Sequence, residues 1–460
     1  MSLDAVILAA GKGKRMKSKY PKVMHEILGK PMILWLLDNL ASLKIKENVV
    51  VLGYGKDYLL ERIPDMNYVV QEELNGTGGA IKYAADKIES FKGKDIIVLY
   101  GDVPLIKKET IENFYQYHRN NKNNITVAYM ELSDPTGYGR MVIENNLLIS
   151  IVEEADANDS QKRIKKVNSG VMIFDRKLLL KYVMMLNNNN NQGEYYLTDT
   201  IKLASEEGRR IGVFEIDEEE VRGANTRKQL YELNELAKKR INDSLMEKGV
   251  TIINPESTYI GPDVEIGRDT VVAPNVHIYG KTIIGEDCYI GENSHILETS
   301  VGNEVKIKSS YIEYSTIGDR VTVGPFARIR MNAILDNDVR IGNFVEVKKS
   351  HLKQRATSLH LAYLGDAEIG KKVNIGAGSI TCNYDGVHKH KTVIEDNAFI
   401  GTNNSLVAPI KIGKWAVTAA GTAVNKDVPD YALAVRKGQL VFFEDWAKKK
   451  FHIEEEKDAK

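Results

Sequence analysis

The sequence predicts two folds in series: an α/β, Rossmann-like doubly wound domain, then a parallel β-helix built from hexapeptide repeats. Three observations carry this. Apolar runs alternate with helix-like stretches over the first half, a charged segment without Gly or Pro follows, and from Ile260 onward apolar residues recur every six positions. At 460 residues the chain exceeds one ordinary core, so more than one domain is expected. Lys and Arg number 63 and Asp and Glu 63, a formal charge of +0, which argues against a general nucleic-acid or membrane-surface partner. Cys288 and Cys382 make no disulfide framework and sit in no metal-ligand spacing, so a reducing cytoplasm is expected. The apolar start "LDAVILAA" is short, lacks a basic flank and runs into a glycine–lysine turn; it reads as a first strand and not as a signal peptide. No stretch approaches the apolar length that spans a bilayer.

In chain order, strands are expected at "AVILAA" (5–10), "NVVVLG" (48–53), "IIVLYGD" (96–102) and "NITVAYM" (124–130), with helices at 32–44 and 78–91 between them. Such alternation implies parallel βαβ units. Ligands of these sheets sit beyond the carboxyl ends of the strands, where "LAAGKG" and "LYGD" both fall, so the two are expected to share one crevice. The turn in "LAAGKGKRM" carries Lys12, Lys14 and Arg15; glycines there let backbone N–H groups approach an anion, although taken alone the same pattern serves an ordinary strand-to-helix turn. The run "NNNNN" (187–191) reads as a polar loop. Residues 227–249 read as a linking helix that ends at Gly249, with Leu230, Leu233, Leu236 and Ile241 at helical spacing.

The second half changes period. Ile260, Ile266, Val272, Ile278, Ile284, Ile290 and Ile296 lie six residues apart, and glycine follows many such positions. Three hexads complete one triangular coil, with the apolar residue stacked inside and the glycine relieving crowding at the corner. The pattern fails between Val347 and Ile369, so "KKSHLKQRATSLHLAYLGDAE" is expected to loop out from the solenoid. That basic segment holds His360 and Tyr363 and is the first candidate for a site on this half.

Together these residues resemble the bifunctional bacterial N-acetylglucosamine-1-phosphate uridyltransferase / glucosamine-1-phosphate acetyltransferase family. The resemblance runs through "LAAGKGKRM", "PKVMH", "GTGGA", "YGDVPL", "GYGR", "VNSGV" and "GANTR". It continues in "GPFARIR", "GNFVEVKK", "HLAYLGDAEIG", "NIGAGSITCNYDG" and "LVAP". It implies a sugar nucleotidyltransferase domain over 1–226, a linker helix over 227–249, a left-handed β-helix acetyltransferase domain over 250–437 and a tail over 438–460. The implied activities are acetyl transfer from acetyl-CoA to glucosamine-1-phosphate, then uridylyl transfer from UTP with release of pyrophosphate.

In the first domain the backbone of Leu8, Ala10 and Gly11 suits a triphosphate. By resemblance Arg15 and Lys22 contact phosphates, Gln71, Gly76 and Thr77 read uracil, and Gly139, Glu153, Asn168 and Asn225 hold the N-acetylglucosamine phosphate. Asp102 and Asn225 match the Mg²⁺ ligands, a sparse set that water and phosphates complete; singly, an Asp after a strand is as often a helix cap. In the second domain His360 matches the base of acetyl transfer, since imidazole titrates nearest neutral pH. Glu346 would orient it or help bind the amine. Arg330, Lys348, Tyr363, Asn374 and Lys389 match glucosamine-1-phosphate contacts, and Ala377, Asn383, Tyr384, Thr402 and Ala420 match acetyl-CoA contacts. Two departures stand out: Met331 replaces the proline usual after Arg330, and either Arg436 or Lys437 supplies the cation expected for coenzyme A. The resemblance also implies a homotrimer built through flat β-helix faces. Two other readings remain open from sequence: a single-site pyrophosphorylase with a structural β-helix, and a non-catalytic nucleotide sensor. The tail aromatics, Trp446 among them, pack on either a neighbouring subunit or the same chain.

Overall fold

The computed structural model describes residues 2–45, 47–144, 147–438 and 442–451. The chain divides into two compact units, the first formed by residues up to 247 together with 258–264, the second by 248–257 and the residues after 264.

The first unit is built on a sheet whose main path runs Ile211–Glu215, Ile125–Glu131, Lys166–Asp175, Asp95–Tyr100, Leu3–Ala9, Asn48–Leu52, Tyr68–Val70. All four expected strands are present. Successive residues of the first strand face opposite layers: Ala5 and Ile7 join one buried cluster, Val6 and Leu8 the other. Burial on both faces is what makes the run continuously apolar. The sheet is mixed and not wholly parallel as expected. Lys166–Asp175 runs antiparallel to both its neighbours. The chain leaves Ile125–Glu131 through an antiparallel hairpin, Arg140–Glu144 with Leu147–Val152, and not through a helical crossover, so no parallel return is needed. The helix expected over 32–44 is Met32–Ser42. That expected over 78–91 is two, Thr77–Tyr83 and Ala85–Ser90, broken at Ala84 where φ is −87° and ψ −3°.

The charged segment forms the helix Arg227–Glu247. It packs on the first unit instead of standing free: Leu230, Leu233, Ala237 and Leu245 are buried, Asn234 Oδ1 accepts from the Leu28 N–H (3.0 Å), and Arg240 donates to the Leu105 carbonyl (2.8 Å).

The second unit is a left-handed β-helix of short parallel strands in three sheets. Glu265 pairs with Ile283, Val271 with Tyr289 and His277 with His295, each partner three hexads on. The glycines do relieve crowding: a Cβ on Gly285 would lie 2.6 Å from the Gly302 carbonyl of the next coil. Met331 and Asn332 turn a corner with φ of 57° and 60°, which the proline-locked φ near −65° cannot reach, so residue 331 needs a non-proline here.

The expected insertion between Val347 and Ile369 is not a loop. Those residues form His351–Leu352, Thr357–His360 and Tyr363–Gly365, fully in the ladder, with Leu352, Ser358 and Leu364 at the inward positions. The pattern is hidden by one-residue slips and by Ser358 where the adjoining coils place Ile341 and Ile375. The excursion lies later, at 383–391, between Ile380–Cys382 and Thr392–Ile394, pinned by a bridge from Tyr384 to Lys389. Of the tail, 439–441 and 452–460 lie outside the described residues; Trp446–Phe451 is a short exposed helix, and Trp446 meets Phe451 edge-on at 6.3 Å.

Candidate functional sites

The first site opens at the carboxyl ends of Leu3–Ala9 and Asp95–Tyr100, as the strand order requires. Residues Leu8–Gly11, Lys12 and Lys14 form one wall of a cavity of about 500 Å³, and Lys22, Gln71, Gly76, Thr77 and Asp102 line it too. Gly13 has φ +56°, and a Cβ there would lie 2.9 Å from Lys22 Cβ, so glycine lets the basic turn fold onto Lys22. Arg15 is the exception: it is exposed on the turn and does not line the cavity.

Lys22 is the hub of the floor. Its Nζ donates to Asp102 Oδ2 at 2.5 Å and to Asn225 Oδ1 at 3.0 Å, joining a strand end to the segment just before the helix Arg227–Glu247. The Asp102 carbonyl accepts from the Ala224 N–H (3.2 Å), and a Cβ on Gly223 would lie 3.2 Å from Asp102 Oδ2, so glycine lets "GAN" close on the carboxylate. Two oxygens, one charged, thus converge on a single cation. This fits a hard divalent ion, which takes one or two protein oxygens and fills its octahedron with water and phosphate.

At the other end, buried Gln71 donates to Asn75 Oδ1 (3.1 Å) and to the Gly76 carbonyl (3.2 Å), while Thr77 Oγ1 accepts from the Leu197 N–H (3.0 Å). Gly76 has φ +103°, and a Cβ would meet the Tyr195 carbonyl at 2.6 Å. Gly139, Glu153 and Asn168 form one group: the Asn168 N–H donates to the Gly139 carbonyl (2.8 Å), and a Cβ on Gly139 would lie 3.3 Å from both Glu153 carboxylate oxygens. Burial pushes the Glu153 carboxyl up, opposed by the hydroxyl of Thr198, which donates to it at 2.9 Å. Sequence reading missed Thr198 and also Tyr100, which lines the cavity and whose phenol burial pushes up.

In the β-helix, Arg330, Glu346, Lys348 and Tyr363 share one outward sheet face, since Arg330 pairs with Lys348 and Glu346 with Tyr363 while Ile329, Val347 and Leu364 point inward. Arg330 Nε donates to Glu346 Oε1 at 2.7 Å. His360 stands at the corner entering that face. Its partner is not Glu346: Nδ1 lies 2.8 Å from Asn343 Oδ1, one coil back in register. An amide oxygen accepts, so Nδ1 carries the hydrogen and Nε2 keeps its lone pair. Asn343 went unnoticed because only the ladder puts it beside His360.

The ladder also aligns the acetyl-CoA candidates. Ser358 pairs with Ile375, Ile375 with Ile400, Ile400 with Thr418 and Thr418 with Ala434. Two residues past each stand His360, Ala377, Thr402, Ala420 and Arg436, a single column up one corner, with Lys437 next in sequence. At the opposite corner Lys348 is buried, Asn383 and Lys389 lie in the 383–391 excursion, and the Lys348 ammonium holds Lys389 below its ordinary value. The Tyr384 hydroxyl donates back to the Gly386 carbonyl at 2.5 Å. Asn374 lies apart on the neighbouring sheet, accepting from Thr357 (3.1 Å).

The pattern described as nucleotidyl transferase matches residues 4–219, the GMPPB C-terminal domain matches 244–357, and the hexapeptide repeat of succinyl-transferase matches 391–426. A protein called bifunctional protein GlmU from Fervidobacterium nodosum is 50% identical over 449 residues, covering 97% of this chain and 98% of its own. The chain belongs to the GlmU family. GlmU proteins of Clostridioides difficile and Thermotoga petrophila are each 45% identical, over 453 and 450 residues, and cover 98% and 97% of this chain and 98% and 99% of their own. As a GlmU-family member the chain is a bifunctional transferase of UDP-N-acetylglucosamine synthesis, a uridylyltransferase joined to an acetyltransferase. Full-length identity to bifunctional relatives sets aside both the single-site pyrophosphorylase and the nucleotide sensor. Among the described residues no helix is long and apolar enough to cross a membrane.

Proposed function

We propose that the two activities are carried by the two sites just described. The observation that carries the first is the convergence of Asp102 and Asn225 on Lys22, beside Lys12 and Lys14 of the same cavity. Leu8, Ala10 and Gly11 receive the triphosphate of UTP on their backbone, with Lys12 and Lys14 beside it, and Gln71, Gly76 and Thr77 face the uracil. Gly139, Glu153, Asn168 and Asn225 hold N-acetylglucosamine-1-phosphate so that its phosphate oxygen attacks the α-phosphorus in line as pyrophosphate leaves. Asp102 and Asn225 would hold Mg²⁺, which supplies charge neutralisation at the phosphates when bound. Lys22 serves the phosphates directly, and Arg15 joins them from the exposed turn.

In the acetyl-transfer site, His360 Nε2 accepts the proton of the glucosamine ammonium, and the freed amine attacks the thioester carbonyl of acetyl-CoA while coenzyme A leaves as the thiol. Arg330, Lys348, Tyr363 and Lys389 receive the sugar phosphate, and Glu346, held by Arg330, faces the amine. Coenzyme A climbs the column Ala377, Thr402 and Ala420 toward Arg436 or Lys437, with Asn383 and Tyr384 from the excursion. Asn374 sits on a different sheet from the other sugar-phosphate residues, which supports a site completed by a neighbouring copy in a homotrimer. We place the enzyme in the cytoplasm, whose reducing conditions suit two free cysteines, with domain limits at 1–226, 227–249, 250–437 and 438–460.

A coupled assay tests this reading. Purified protein with Mg²⁺, UTP, glucosamine-1-phosphate and acetyl-CoA should release thiol and pyrophosphate. His360→Ala should release almost no thiol, yet still release pyrophosphate from N-acetylglucosamine-1-phosphate. Thiol release that survives in His360→Ala would sink the assignment.

A further inference from the structure

Asp366 has been given no role, yet it sits where two proposed acetyl-site residues, Lys348 and Asn383, meet. Its Oδ2 accepts from Lys348 Nζ at 3.0 Å and from Asn383 Nδ2 at 2.5 Å, and Oδ1 lies 3.9 Å from Lys349 Nζ. Its own backbone is tied on both sides: the Asp366 N–H donates to the Lys348 carbonyl (3.1 Å) and its carbonyl accepts from the Thr392 N–H (3.2 Å). One residue therefore spans the coil of Lys348, its own coil and both roots of the 383–391 excursion. The Lys348–Asp366 pair is largely shielded, with side chains 5% and 12% exposed, so the contact is not a screened surface ion pair.

Lys348 and Lys389 stand beside each other at this corner, and two ammonium groups repel. Asp366 supplies the compensating charge and aims the more buried of the two. We propose that Asp366 is a positioning residue of the acetyl-transfer site: its carboxylate sets the Lys348 ammonium for the sugar phosphate and anchors the excursion through Asn383. This rests on the reading of Lys348 as a phosphate contact. Asp366 touches no reacting atom, so its loss weakens substrate capture and spares the chemical step.

The test uses the full chain and initial acetyl-transfer rates against glucosamine-1-phosphate at saturating acetyl-CoA. Asp366→Asn should raise KM about tenfold, a change that a single charge-assisted hydrogen bond supplies, with kcat within about twofold and uridylyl transfer unchanged. Asp366→Glu keeps the charge and should bring KM most of the way back. Lys348→Ala should raise KM similarly, and the double variant should raise it by less than the product of the two single effects, since the two share one ammonium. If Lys348→Ala raises KM and Asp366→Asn does not, the role of Asp366 falls while the site stands. An unchanged KM in Lys348→Ala removes the phosphate reading, and the inference with it. A joint loss of kcat and uridylyl transfer in Asp366→Asn would make the residue merely structural.

Discussion

Asn343 decides which nitrogen of His360 carries the proton. With its amide oxygen 2.8 Å from Nδ1, the imidazole leaves Nε2 free for the role of base proposed above, and no other described hydrogen bond holds the ring. Asn343→Ala should therefore lower kcat for acetyl transfer about tenfold, a fraction of what a general base contributes, and leave KM for both substrates nearly unchanged. Steady-state kinetics of thiol release checks this; a rise in KM at constant kcat would place Asn343 in binding instead. Glu346 is the contrasting case: its carboxylate accepts from Arg330 and not from the imidazole.

At the scale of the element, the coil over residues 349–369 shows how a repeat can persist after its sequence signature fades. Ser358 occupies an inward position, wholly buried, and its hydroxyl finds no partner among the described residues. A buried hydroxyl without a hydrogen bond costs free energy that an alanine would not. Ser358→Ala should stabilise the β-helix by about 1 kcal/mol, read as a higher denaturant midpoint at unchanged slope. A lower midpoint would show that the hydroxyl is satisfied in solution. Beside the 383–391 excursion, Glu368 accepts from Lys391 (2.7 Å) and Lys353 (2.9 Å), which pull its carboxyl from the ordinary 4.5 to about 2. Because the folded value is depressed, this stabilisation is complete above 4.5 and fades as pH falls toward about 2. Thermal unfolding of the parent and Glu368→Gln should therefore differ most above pH 4.5 and converge as pH approaches about 2; a constant difference would contradict the pairing.

For the whole molecule, the two sites draw on residues of separate compact units, so their chemistry should separate cleanly. Lys22→Ala removes the ammonium that joins Asp102 to Asn225 and should lower uridylyl transfer about a hundredfold while acetyl transfer is retained. Pyrophosphate and thiol release assayed on one preparation read both; equal loss of the two would mean that the units do not act independently. The helix Arg227–Glu247 falls within the first compact unit by its packing.

Period and motif chemistry determined much of this protein from sequence alone. Six-residue spacing places its aliphatic residues inside a β-helix, and a glycine–lysine turn at a strand's carboxyl end points to an anion once the motifs that follow it are read with it. Those signals are local, and local physics produces them. What the tertiary structure decided is what depends on residues far apart in the chain. The antiparallel Lys166–Asp175 strand, the pairing of His360 with Asn343 and the junction at Asp366 arise from ladder register and chain return, which accumulate slips of single residues that no local pattern records. The column from His360 to Arg436 shows the same dependence: its members are separated by 17, 25, 18 and 16 residues, and only stacked coils make them neighbours.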